Sequence, residues 1–198
     1  MDGSLKLFRI WGIDVQVHWS FLLILAYGAF IYGGAAANPL AGALYGVVVI
    51  LLLFVCVVLH EFGHALTAKF FKVNVPYITL LPIGGIAQLE RMPRKPSQEF
   101  LIAVAGPAVN FVIAFLLAPV ALLVVGLSMR AGGFTDLLRY SEFRMMTPSI
   151  DGLLIYLAVT NLALGLFNLL PAFPMDGGRV LRALLAMAMP YVRATRIA

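Results

Sequence analysis

Leu44 to Leu59 carries no charge at all, and His60, Glu61 and His64 follow it directly. This junction constrains the fold more than any other part of the chain. An ionisable group at the centre of a bilayer costs about 3 kcal/mol or more, so such groups are rare there and usually functional. The surroundings leave little choice of solvent. The chain is 62% hydrophobic and only 12% charged, with a mean hydropathy of +0.98; soluble domains carry about 25% charged residues. At least four apolar segments reach spanning length, roughly 17–25 residues. The predicted fold class is an all-α polytopic membrane protein: a bundle of about four to five transmembrane helices with a short membrane-associated β-hairpin.

The spans are predicted at Trp19–Ala37, Ala43–Phe70, Gln98–Gly126 and Gly152–Leu170, where Pro171 and Pro174 interrupt the last. A further helical piece runs over Gly178–Met189. Between the second and third spans, β-branched and apolar residues of Tyr77–Glu90 flank Gly84-Gly85, the pattern of a hairpin. The first 18 residues are mixed in character and the first apolar segment lacks a small-residue cleavage site near a short apolar core, so no cleavable leader is expected. The loop Ser128–Asp151, with Phe134, Leu137, Leu138 and Phe143, suits an interfacial helix.

Charge sets an expected orientation. Alternating through four spans leaves eleven of the fourteen Lys and Arg on the side of the N-terminus, against Arg130, Arg139 and Arg144 on the other. The positive-inside rule makes the N-terminal side cytoplasmic. There is no basic stripe with interleaved aromatics, which argues against a nucleic-acid partner. Cys56 is the single cysteine, so neither an intrachain disulfide nor a Cys-rich metal site is available.

His60 and His64 are four residues apart on a predicted helix, so both imidazoles leave one face and can share one tetrahedral zinc. Glu61 is turned about 100° from His60. It sits beside the metal as a proton acceptor for water, whose pKa zinc lowers to about 7. The plainer alternative is a polar cluster bonding to neighbouring helices.

A catalytic zinc needs a third protein ligand and an open position. His18 lies at the start of the first span, where a structural or interfacial role fits it better. Cys56, one turn before His60, reads as a small packing residue. Asp176 stands between a proline-broken helix and Gly177-Gly178; it could point inward, cap the next helix, or do both. Depth favours the first. His60 lies about 15 Å from its end of the second span, Asn110 about 18 Å into the third, and Asp176 at a similar depth in the last piece. Asn110 and Asn168 do not suit a lipid-facing helix either. Each can bond between helices or donate to an oxyanion or an extended substrate backbone.

His60-Glu61-Phe62-Gly63-His64, Gly106-Pro107-Ala108-Val109-Asn110, and Asn168-Leu169-Leu170-Pro171 running into Met175-Asp176-Gly177-Gly178 resemble the three signatures of the site-2 proteases, zinc intramembrane metalloproteases. The resemblance spans nearly the whole chain in the right order. It implies one Zn2+ per chain held by His60, His64 and Asp176, Glu61 as catalytic base, and Asn110 and Asn168 holding oxyanion or substrate. It also implies cleavage within or near the membrane segment of a single-span protein, with membrane-tethered regulators such as anti-sigma factors as the substrate class. The implied location is a prokaryotic cell membrane, with the site opening to the cytoplasm. Some relatives carry further spans and a C-terminal regulatory domain, often paired CBS motifs. Residues 1–198 are therefore expected to be one membrane catalytic domain, truncated at its C-terminus.

A helical substrate must unwind before it is cut. The hairpin suggests how: Gly84, Gly85 and Ile86 could offer an edge to an extended segment. Alternatively, the hairpin is a plain re-entrant connector. The rival class is a membrane metal transporter, which should show ionisable groups along a path through the bilayer. Here they gather at one depth.

Overall fold

The computed structural model describes residues 3–91, 93, 95–128, 144 and 147–198. The interfacial helix expected between Ser128 and Asp151 falls largely outside them.

Alternation writes the N-terminal part. Strands β1 (Ser4–Ile10) and β2 (Ile13–His18) are joined at Trp11 and Gly12, both left-handed with φ of 50° and 77°. Positive φ at both turn residues is the hairpin geometry that matches strand twist. Ile13 and Val15 are fully buried. Helix α1 (Phe21–Ala35) follows, and α2 (Pro39–Phe70) starts at Asn38, whose Oδ1 accepts from the amides of Leu40 and Ala41 at 3.1 and 3.2 Å. Asn as cap and Pro at the first helical position are both suited to a helix start.

After α2 come β3 (Tyr77–Leu81) and β4 (Gly84–Ala87), the expected hairpin. It is half of a four-stranded sheet in the order β1-β2-β3-β4, whose first two strands add to the elements expected above. β2 and β3 are parallel, with Asp14 opposite Tyr77 and Val17 opposite Leu80. Parallel strands need a long crossover, and the α1–α2 pair supplies it. Then come α3 (Pro96–Ser128), α4 (Ile150–Asn168), α5 (Asp176–Ala188) and the short α6 (Tyr191–Ile197).

Among the described residues, α2, α3 and α4 are long and apolar enough to cross a membrane, and α1 is a shorter apolar helix. The packing is that of a protein in lipid. Leu40, Leu44, Val48, Leu51, Val55 and Leu59 form an exposed stripe on α2, while the same helix buries His60, Glu61 and His64. The main apolar cluster lies between the sheet and α2, where Ile13, Val15, Ile78 and Leu80 meet Phe54, Phe62, Ala65 and Ala68. The Lys69 ammonium donates to the Trp11 carbonyl, so the N-terminal hairpin and the end of α2 share one side.

Helices in lipid associate by close approach of small residues. A Cβ added at Gly46 of α2 would lie 2.2 Å from the Gly28 carbonyl oxygen of α1. Gly46→Leu should therefore push α1 off α2 and destabilise the fold by about 1–3 kcal/mol, read as a lower midpoint in denaturing-detergent titration. An unchanged midpoint would contradict this packing.

Candidate metal centre

Three elements converge where the sequence placed its polar groups. His60 and His64 come from α2, and Asp176 is the first residue of α5. Met175, not Asp176, occupies the cap position of α5 and makes no side-chain cap bond; the Asp176 carboxylate turns to the histidines instead. His60 Nε2 and His64 Nε2 are 3.1 Å apart, and Asp176 Oδ2 lies 3.2 and 3.0 Å from them. Two ligand atoms each about 2.0–2.1 Å from one tetrahedral zinc are about 3.3 Å apart. The triangle has that size.

Hydrogen bonding assigns the protons. His64 Nδ1 lies 2.7 Å from the Ile102 carbonyl oxygen, which only accepts. His64 therefore carries a proton on Nδ1, and in its neutral form turns an Nε2 lone pair inward. For His60 the assignment runs through two amides. Asn161 Nδ2 donates to the Leu157 carbonyl at 2.8 Å, which leaves Asn161 Oδ1 to accept from Asn110 Nδ2 at 2.9 Å. Asn110 Oδ1 is then the acceptor for His60 Nδ1. With both imidazoles neutral, two Nε2 lone pairs and a carboxylate oxygen face one another, an arrangement suited to a cation among them. Metal-bound histidines have this kind of outer partner, and the trio fits one zinc ion.

α3 makes room for the trio at Gly106. A Cβ there would lie 2.2 Å from His64 Nε2 and 2.7 Å from His60 Nε2. Glu61, also buried, leans the other way: its Oε2 accepts from the Ala87 amide of β4 at 3.1 Å. A Cβ at Gly85 would lie 2.6 Å from Glu61 Cγ, so only glycine lets the strand come this close.

A cleft of about 470 Å³ joins these groups. Gly84, Gly85, Ile86, Asn110 and Asn168, all singled out from the sequence, line it with His60, Glu61, His64 and Asp176. Asn110 gives one of its two amide N–H bonds to Asn161 and its oxygen to His60, which fixes its orientation at the cleft. His18 lies elsewhere, bonded through Nδ1 to Ser20 Oγ at 2.7 Å, and Cys56 is buried outside the trio. Sequence reasoning missed Asn161 and Arg179. The first could have been flagged as an amide inside an apolar helix. The second lines the cleft one turn after Asp176, with its Nε buried and unpaired among the described residues.

Spanning helices around two buried histidines and a half-buried aspartate define an integral membrane metalloprotein. The chain matches the family model described as peptidase family M50 over residues 48–198, and it belongs to that family, the site-2 proteases. It is 40% identical over 198 residues to a zinc metalloprotease of Methanocaldococcus jannaschii, covering 100% of this chain and 50% of that protein. It is 28% identical over 172 residues to the stage IV sporulation protein FB of Bacillus subtilis, covering 85% and 50%. The solved site-2 protease of M. jannaschii aligns with a TM-score of 0.64 at 37% identity, over 98% of this chain and 77% of that one. The chain thus spans about half the length of the curated relatives it matches.

The amide relay can be tested apart from any reaction. Asn161→Leu removes the group that orients Asn110, and zinc affinity should fall about 10–100-fold in competition with a chromophoric chelator. Wild-type affinity in a folded variant would rule the relay out.

Proposed function

We propose that this chain is a zinc-dependent intramembrane endopeptidase that cuts peptide bonds in or near the membrane segments of single-span, membrane-tethered regulatory proteins. The observation that carries the proposal is the position of Glu61. Its carboxylate stands beside the His-His-Asp trio and is bonded to the edge strand of the sheet, inside one cleft. A transporter has no need of a carboxylate held between a metal site and a strand edge.

His60, His64 and Asp176 would hold the zinc. When bound, zinc supplies a Lewis acid that acidifies water and polarises the scissile carbonyl. Glu61 takes a proton from the attacking water and delivers it to the leaving amine as the C–N bond breaks. Asn110 keeps His60 in the tautomer that presents Nε2. Asn168, at the end of α4, donates to the substrate backbone or to the oxyanion. β4 borders the cleft, and an unwound substrate segment pairing with it would regain hydrogen bonds lost from its helix. The charge asymmetry of the sequence supports a cleft open to the cytoplasm, and the shared side of Trp11 and Lys69 agrees with the alternation on which that count rests.

Glu61→Gln should abolish cleavage of a single-span substrate in detergent while one zinc per chain is retained. Asp176→Asn should lower both zinc content and cleavage. Turnover by Glu61→Gln would remove Glu61 from the chemistry. Proline at Ile86 should slow cleavage of a helical substrate more than that of a pre-extended peptide. Equal slowing of both would count against strand pairing.

A further inference from the structure

Glu99 and Arg182 form a buried ion pair that the site described above does not use. Glu99 is 0% exposed and Arg182 7%. Arg182 Nε lies 3.0 Å from Glu99 Oε1, and a second guanidinium nitrogen reaches the same oxygen. The Tyr191 hydroxyl of α6 donates to the other oxygen, Oε2. Burial and then this bond push the Tyr191 phenol up to about 12, so it remains a donor at neutral pH. The guanidinium also lies over two rings, 5.2 Å from the centre of Phe173 and 5.5 Å from that of Tyr191.

Position gives the cluster its meaning. Arg182 is on α5, the helix that begins with Asp176, and Phe173 is on the loop that leads into it. Glu99 is on α3, three residues before Ile102, whose carbonyl holds His64. Gly106 and Asn110 follow at four-residue steps. Residues three and four apart share a helix face. One face of α3 therefore carries the partner of His64, the gap that admits both imidazoles, and the partner of His60. Its first member, Glu99, grips the helix of Asp176.

We propose that Glu99, Arg182 and Tyr191 are positioning residues that hold Asp176 at the metal centre, so that a single face of α3 sets all three ligands. Buried ion pairs are weak stabilisers compared with apolar packing of the same volume, and their best-attested use is to fix a register. Here the register is that of α5 against α3. A one-turn slip of α5 would move Asp176 about 5.4 Å, out of reach of both histidines. The clamp also passes through α6, so displacement of Tyr191 by any downstream segment would be felt at the ligand.

This inference rests on the metal-centre reading, and the experiment separates the two. The metal-free chain in detergent is titrated with Zn2+ against a chelator, and separately with Co2+, whose visible absorption reports coordination geometry. Arg182→Lys and Glu99→Gln should weaken zinc binding about tenfold or more and flatten the cobalt bands. Tyr191→Phe, which removes only a hydroxyl from a partly exposed residue, should weaken it about two- to tenfold, the worth of one hydrogen bond. On an Asp176→Ala background, the Arg182→Lys loss should vanish. Unchanged affinity and spectrum in the folded variants, or an undiminished loss on that background, would overturn the clamp. If Arg182→Lys and Glu99→Gln do not fold, Tyr191→Phe decides, and wild-type affinity in that variant overturns the clamp just as surely. A wild-type chain that binds neither metal overturns the metal centre itself.

Discussion

Three atoms with lone pairs face one another across 3.0–3.2 Å inside a fold built to sit in lipid. With both imidazoles neutral the three repel unless a cation stands among them, and much of the interior polarity of the described residues serves to hold them. The Ile102 carbonyl and the Asn110 carboxamide take the outer protons of the two imidazoles. Asn161 and the Leu157 carbonyl then fix the amide. An unpaired polar group is costly away from water, so each member of this relay needs the next.

Close approach does the rest. Gly106 admits the histidines, and Gly85 brings β4 against Glu61. The sheet is thereby part of the centre, since the Ala87 amide that holds Glu61 belongs to its edge strand. On the proposed function, a chain pairing along that edge would lie beside the carboxylate assigned to receive the proton.

Much of this is legible in sequence, for reasons that can be named. His60 and His64 stand out because charge is so costly after Leu44–Leu59, and Asp176 because it lies at matching depth. The hairpin at Gly84-Gly85 is local and therefore readable. The first two strands are not, although Ile13, Val15 and Val17 alternate with polar residues. Their length is short, and the parallel partner β3 lies about sixty residues away, across two helices. Asn110 is recognisable as important but its use is not: an amide's direction depends on Asn161, on another helix. Glu99 and Arg182 are 83 residues apart; alone, Glu99 looks like an acidic residue in a first helical turn and Arg182 like a basic residue in the middle of a short helix.

Cleavage in a bilayer tests the central claim most directly. The purified chain and a single-span substrate are reconstituted together in liposomes, and the products are identified by mass. The expected result is a cut inside or at the edge of the hydrophobic segment, lost when zinc is chelated and restored when zinc is returned. Cuts confined to the soluble flanks, or cleavage indifferent to zinc, would contradict the account.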